Sequence, residues 1–415
     1  MKVALFTETY LPYINGVVTH VKILKEGLEK LGHKVLVVTA DPNTRRYYVR
    51  DGVLHCPAKS FKRFYDYGLA SPVSTRRLMY IKQFDPDIIH IHNEFGIGFS
   101  GAMIAKILHK PLVYTLHTMY DEYLYYVAPR PMLPFVKRVS HHYAKFLANN
   151  AAALTGPSKK VQQFFDDCGV KRDVSVVPNP VELDIFLPEN IDEDKKAKFR
   201  EKYNISDDDT LLCFCGRLGR EKSVDVLLDY WAKTIRPEDH CKLMIIGDGP
   251  SREELEQQAH ELGIDNMVTF TGKVMHDELP PYYACCDLYV TASLSDTNSI
   301  SMLEAMATGL PVLQRFDKLN EGQVRDGING YIFYDEKDMY REILNYKNKT
   351  TEEKEALRFA VRDSVKQAGA EDLANYLLTI YRGIEFPQRH AHRHRYHTRL
   401  RKPTEQKDGE DGPEE

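Results

Sequence analysis

Short apolar runs, each flanked by a longer amphipathic stretch, recur along most of this chain in two separate series. The first series occupies residues 3–6, 35–39, 88–91, 112–116, 153–155 and 174–177; the second occupies 211–215, 243–246, 268–270, 288–290 and 312–313. Runs this short and unbroken, separated by segments of helical period, predict parallel strands buried on both faces and joined by crossover helices. Residues 16–31 read as the first such helix, with Gly32 as its stop. Between the series stand Pro178, Pro180 and Pro188 and a charged stretch at 189–202, which reads as linker rather than core. The expectation is an α/β protein of two Rossmann-like domains facing a cleft. Their bounds are 1–180 and 181–370, with a helix at 371–386 placed to return to the first domain. Residues 387–415, rich in His and Arg and then acidic, lack apolar periodicity and read as a disordered tail.

Composition narrows the function. At 415 residues and 43% apolar content the chain can fill two cores. A net charge of -4 gives no global reason to expect nucleic acid, and no nucleic-acid-binding motif accompanies the local basic segments. The seven cysteines form no C-x-x-C pair, which suits a reducing compartment. The apolar run at 3–6 is too short for a signal peptide or a span, and no later run approaches spanning length. The reading is a cytoplasmic protein whose contact with lipid is peripheral.

Two groups of residues carry chemistry in the second series. Arg217 and Lys222 bracket a glycine-containing loop between a strand end and a helix start, where unpaired N–H groups and the helix dipole favour an anion such as a diphosphate. The plain alternative is a pair of surface charges. Asp296 and Glu304 lie eight positions apart around a second helix start. Carboxylates accept strong hydrogen bonds from sugar and ribose hydroxyls, and backbone N–H groups near Ser299 and Ile300 are placed for phosphate.

In this order and together, several pieces resemble family 4 of the GT-B glycosyltransferases, over nearly the whole chain up to about Phe386. They are Asn15-Gly16-Val17, His117 within Tyr114-Thr115-Leu116-His117-Thr118, Gly216-Arg217 through Glu221-Lys222, Gly247-Asp248-Gly249-Pro250, and Glu304-Ala305-Met306-Ala307. The resemblance implies a GT-B fold and a nucleotide-sugar donor as co-substrate, with no cofactor. It implies that Arg217 and Lys222 neutralise the diphosphate, that Glu304 holds the ribose and Asp296 the sugar, and that His117 sits beside the transferred sugar. Gly16, at the first strand-to-helix turn, allows the backbone to approach donor groups that a Cβ would obstruct. Two positions depart from the family pattern: Asp296 stands where Glu is common, and Ser223 where Gly follows the lysine. Anomeric retention is likewise an implication of the family, and with no evident protein nucleophile a same-face route through an oxocarbenium-like state is expected. No Asp-x-Asp metal signature is read in either domain's strand ends, so metal-independent transfer is expected, with no metal site.

The first domain supplies the expected lipid contact. Residues 45–77 carry Arg45, Arg46, Arg50, Lys59, Lys62, Arg63, Arg76 and Arg77 among Tyr47, Tyr48, Phe61, Phe64 and Tyr65. Residues 135–147 read as an amphipathic helix with Lys137, Arg138 and Lys145 towards an anionic membrane surface or the acceptor. The opening residues 6–17 and the aromatic segment 114–126 look most like bacterial diacylglycerol glucosyltransferases. That implies a hexosyltransferase moving glucose from UDP-glucose to diacylglycerol in glycolipid synthesis at the inner face of the cell membrane. Competing readings are transfer to or from other substrates such as a cell-wall or capsule precursor, a sugar-nucleotide epimerase, and a non-catalytic nucleotide-sugar-binding subunit.

Overall fold

The computed structural model describes residues 1–13, 15–61, 67–122, 124–187 and 193–384. The tail at 387–415, and Lys62, Arg63, Phe64 and Tyr65 of the basic segment, lie outside them.

The first sheet contains β1 (Lys2–Thr7), β2 (Lys34–Asp41), β3 (Tyr48–Arg50), β4 (Val53–Phe61), β5 (Tyr67–Ala70), β6 (Ile88–Ile91), β7 (Leu112–Thr115), β8 (Ala153–Gly156) and β9 (Val174–Val176). Its order is β3-β4-β2-β1-β6-β7-β8-β9, with β5 paired to β4. The second sheet contains β10 (Thr210–Cys215), β11 (Cys241–Ile246), β12 (Val268–Gly272), β13 (Leu288–Thr291), β14 (Val312–Arg315) and β15 (Gly330–Phe333), in the order β12-β11-β10-β13-β14-β15. Every residue of β10 is buried, as are Val3 to Thr7 of β1, which is why these strands read as unbroken apolar runs rather than alternating ones. The expected architecture of two parallel-sheet domains holds.

Each sheet reverses its winding direction at its first strand. β1 lies between β2 and β6, and β10 between β11 and β13, all parallel. A crevice opens beyond the carboxyl ends of strands at such a reversal, and ligands of α/β sheets settle there. The segment that follows β1 contains Gly16, and the one that follows β10 contains Arg217.

The sequence reading missed β3, β4, β5 and β15. β3 and β5 both pair antiparallel with β4, so the segment read as a basic surface is in part an edge ribbon of the sheet. Arg77 corrects that reading further: it is fully buried, and its Nη1 donates to the Ser71 carbonyl at 3.0 Å. The charged stretch read as linker also needs correction, because Glu193–Lys202 is a helix whose Phe199 is buried against Tyr203 and Tyr282, with ring centroids 4.8 and 5.0 Å away. The last described helix, Ala370–Gly383, packs on Gly16–Lys30. Its Leu373, Ala374, Leu377, Leu378 and Tyr381 share one core with Val21, Leu24 and Leu28, so the chain ends its fold in the first domain's core.

Candidate active site

On the second domain's side of the cleft, the loop carrying Arg217 is held from below by the turn after β11. The Leu218 N–H donates to the Asp248 carbonyl at 3.0 Å and the Ser251 N–H to the Leu218 carbonyl at 2.9 Å. Gly247 allows this contact: its φ is +135°, and a Cβ there would stand 1.9 Å from the Gly216 carbonyl oxygen. The Gly247-Asp248-Gly249-Pro250 motif thus shapes the Arg217 loop from a neighbouring strand. Lys222 closes the short turn Arg220–Lys222, and its Nζ lies 2.5 Å from Asp296 Oδ1, with both side chains less than a fifth exposed. Burial would raise the Asp296 carboxyl, but the charge and hydrogen bond of Lys222, with Ser293 and Lys160, outweigh it and hold Asp296 below the usual range.

Ser299 caps the helix Ile300–Ala307, accepting from the Met302 N–H, while its own N–H donates to Gln323 Oε1 at 3.2 Å. The Ser299 amide is therefore committed within the protein in this conformation. Glu304, buried on that helix, accepts from His276 Nε2 at 2.9 Å and from the Tyr283 hydroxyl at 3.3 Å. The Glu304 hydrogen bond raises the His276 pKa against the opposing effect of burial.

Gly16 faces this helix from the first domain. It opens Gly16–Lys30, whose Asn15 cap accepts from the Val18 N–H at 3.0 Å, and a Cβ on Gly16 would come within 3.4 Å of Ile300 Cδ1. Two helix N-termini, one from each domain, thus meet across the cleft, and their dipoles both favour an anion between them.

His117 follows β7 and is half-buried. Its carbonyl accepts from the Thr297 hydroxyl at 3.3 Å, which ties it to the residue beside Asp296. Its Nε2 lies 3.0 Å from His92 Nδ1. His20 and His90 stand close by: the His20 and His117 rings are 4.6 Å apart and the His90 and His92 rings 4.1 Å apart. Burial lowers the pKa of all four, so the first domain offers neutral imidazoles here. The sequence reading named only His117. His90 and His92 lie two positions apart at a strand end, on one face, and that alternation was the available signal.

Further contacts join the domains at the mouth of the cleft. The Tyr125 hydroxyl donates to Glu221 Oε2 at 2.7 Å, and Lys160 Nζ lies 2.5 Å from Asp317 Oδ2. Two open cavities of about 500 and 460 Å³ share Glu122, Tyr125 and Leu133. The first adds Pro134 and Lys137; the second adds Arg220, Ser223 and Ser295, so together they run from the helix Leu133–Asn150 to the Lys222 turn.

That helix buries Ala144, Leu147 and Ala148, while Phe135, Val139 and Phe146 are 66%, 52% and 45% exposed. These three recur at helical spacing, so the helix presents an unpartnered apolar stripe beside its cations. Arg138 is exposed, Lys137 Nζ pairs with Asp121 Oδ2 at 2.8 Å, and Lys145 is half-buried. Among the described residues no helix is long and apolar enough to cross a membrane.

The profile of Glycosyltransferase Family 4 matches residues 14–185, and that of Glycosyl transferases group 1 matches residues 195–361. An alpha-monoglucosyldiacylglycerol synthase of Streptococcus pneumoniae is 33% identical over 83% of this chain and 78% of its own length. This chain belongs to glycosyltransferase family 4. A second alpha-monoglucosyldiacylglycerol synthase, from Acholeplasma laidlawii, is 28% identical over 83% of the chain and 88% of its own length. The fold is that of GT-B glycosyltransferases. Anabaena Alr3699/HepE, solved in complex with UDP-glucose, aligns with a TM-score of 0.69 over 92% of this chain and 99% of its own at 17% identity. WaaG, a glycosyltransferase involved in lipopolysaccharide biosynthesis, aligns with a TM-score of 0.63 over 92% and 100% at 18% identity.

The fold accounts for what this family 4 chain forgoes at Ser223. Ser223 adopts φ 51° and ψ 37°, the left-handed region that glycine enters freely and a Cβ resists. The serine is tolerated at a conformational cost in the turn that positions Lys222.

Proposed function

We propose that this family 4 enzyme transfers a hexose, glucose from UDP-glucose, to the hydroxyl of diacylglycerol, with retention at the anomeric carbon and without a metal ion. The observation that carries the reading is the continuity of the cavities, which share Glu122, Tyr125 and Leu133 and extend from the first turn of the helix Leu133–Asn150, at Leu133, Pro134 and Lys137, to the Lys222 turn. A lipid hydroxyl needs such a route from a bilayer to a polar donor. The names of the two synthases that share most of this chain's length support the same acceptor class.

In this reading Arg217 and Lys222 face the diphosphate, where negative charge grows as the bond from the anomeric carbon to the phosphate oxygen breaks. Fixed cations in a partly dry site favour that charge without reorganising at the moment of reaction. Lys222 exchanges part of its contact with Asp296 for phosphate, which frees Asp296 for sugar hydroxyls. The Ile300 end of its helix and Gly16 border the phosphates, with the Ser299 amide left to Gln323. Glu304, oriented by His276 and Tyr283, accepts from the ribose. His117, neutral at physiological pH, holds a sugar hydroxyl without placing a cation next to the oxocarbenium-like centre. The acceptor oxygen bonds to the anomeric carbon on the face the phosphate leaves, and its proton passes to the departing phosphate oxygen. Peripheral docking on the inner face of the cell membrane through Phe135, Val139 and Phe146, with Arg138 at an anionic headgroup, completes the reading.

The test is a mass-spectrometric screen of the purified chain with UDP-glucose, UDP-galactose and GDP-mannose against vesicles with and without diacylglycerol. A monohexosyl diacylglycerol formed preferentially from UDP-glucose is expected. An epimerised sugar nucleotide without an acceptor, or donor binding with no product, would refute it.

A further inference from the structure

We propose that His20, His92 and His117 form a binding site for one borderline transition-metal dication, of which Zn²⁺ is the type, on the first domain's wall of the cleft. The three imidazoles come from three elements: His20 from the helix Gly16–Lys30, His92 from the residue after β6, and His117 from the segment after β7. One ring nitrogen of each lies within 4.8 Å of the others. Bonds of 2.0–2.1 Å to a tetrahedral ion place nitrogens about 3.3 Å apart. The His92 Nδ1–His117 Nε2 pair, at 3.0 Å, already has nearly that spacing.

The protonation pattern favours a cation. His20 Nδ1 lies 3.1 Å from Asn179 Oδ1, and Asn179 Nδ2 donates to the Asn298 carbonyl at 2.8 Å, which fixes the amide oxygen towards the histidine. His20 therefore donates through Nδ1 and keeps its lone pair on Nε2, the oriented-imidazole arrangement that metal ligands use. That Nε2 is buried and has no hydrogen-bond partner, in a side chain that is 1% exposed. His90 is not a ligand, because its two nitrogens are engaged by the Tyr381 and Thr115 hydroxyls at 2.7 and 2.6 Å. An all-imidazole set selects a Zn²⁺-like ion over Mg²⁺ or Ca²⁺, which take oxygen ligands. Three protein ligands leave a fourth position, and His117 is the half-buried member of the set.

Bound metal withdraws His117 from any other partner. On the reading of His117 given under Proposed function, occupancy inhibits transfer, so this ion is an inhibitor and not a leaving-group Lewis acid. The site itself does not depend on that reading.

Titration of the full chain with Co²⁺, followed by visible absorption, tests the site. One Co²⁺ per chain with the intense bands of tetrahedral coordination is expected, displaced by Zn²⁺, lost in His20→Ala and in His92→Ala, and retained in His142→Ala on the exposed helix face. Zn²⁺ raises the melting temperature of wild type but not of His20→Gln, which separates lost ligation from lost folding. A weak octahedral spectrum, or tetrahedral bands that persist in both alanine variants, would overturn the site. Stoichiometric Zn²⁺ binding with undiminished turnover would support the site and contradict only the role of His117 in transfer.

Discussion

The second domain's wall of the cleft sets polar groups in pairs, the Lys222–Asp296 ion pair and His276 with Glu304. The first domain's wall collects four histidines that burial drives to the neutral form, together with Glu8 and Glu94, whose carboxyls burial pushes up to about 7. One wall therefore carries charge that a diphosphate can exchange for its own, and the other suppresses charge next to the position proposed for the sugar. Such a division suits a reaction in which negative charge accumulates on one partner and positive charge develops on the other.

Removing the cations of the charged wall is expected to have the largest effect. Arg217→Ala and Lys222→Ala should each lower turnover on the order of 10²-fold or more, because each deletes charge aimed at the leaving group. Lys222→Ala also leaves Asp296 buried without its cation, so donor affinity measured alongside turnover separates the two contributions. Wild-type turnover in both variants would remove the diphosphate assignment.

The neutral wall is best probed through Glu94. Its carboxylate accepts from the Tyr114 hydroxyl at 2.8 Å and from Tyr120, and the Tyr143 hydroxyl donates to its backbone carbonyl. Burial raises its pKa from 4.5 to about 7 against the opposing hydrogen bonds of Tyr120 and Tyr114. Between these values the folded state binds more protons than the unfolded state, so this group's contribution to stability falls as pH rises from 4.5 through 7. The loss is on the order of 3 kcal/mol for a shift of this size. Denaturation of Glu94→Gln at pH 5 and pH 8 should show a pH slope reduced by roughly that amount. Parallel profiles for variant and wild type would mean that Glu94 is not held neutral.

The outer edge of the neutral wall carries a smaller expected effect. Replacing Lys137, Arg138 and Lys145 together should weaken binding to anionic vesicles about tenfold. That is less than the ~1 kcal/mol per cation near an anionic surface would sum to, because Lys137 already pairs with Asp121 and Lys145 is half-buried. Donor affinity should stay unchanged. Co-sedimentation that is insensitive to salt, lipid charge and the substitutions would reduce the helix to ordinary packing. The smallest effect sits beneath the charged wall: Ser223→Gly should relieve up to about 1 kcal/mol of left-handed strain and raise the melting temperature slightly. An unchanged or lowered value would mean that the turn does not strain the serine.

Much of the fold was legible because strands buried on both faces leave unbroken apolar runs, and the bounds of Ile88–Ile91 could be read directly. The edge ribbon at β3–β5 was not, because exposed residues of β3 alternate with no apolar period and the ribbon takes its form from pairing with β4. Charge misled the reading at Glu193–Lys202, where a single buried Phe199 anchors an otherwise polar helix. Motif order marked Arg217, Lys222, Asp296 and Glu304, yet their partners lay hidden. His276 precedes Glu304 by 28 positions, and Tyr125 meets Glu221 only through the docking of two domains. The histidine cluster was hidden for the same reason, since His20 reaches His92 and His117 only once the first helix lies across the sheet.

The central claim is tested most directly by incubating the purified chain with UDP-glucose and diacylglycerol-containing vesicles in excess EDTA and determining the anomeric configuration of the product by NMR. Continued turnover and an α-linked glucosyl diacylglycerol are expected. Loss of activity that Mg²⁺ or Mn²⁺ restores, or a β-linked product, would contradict it.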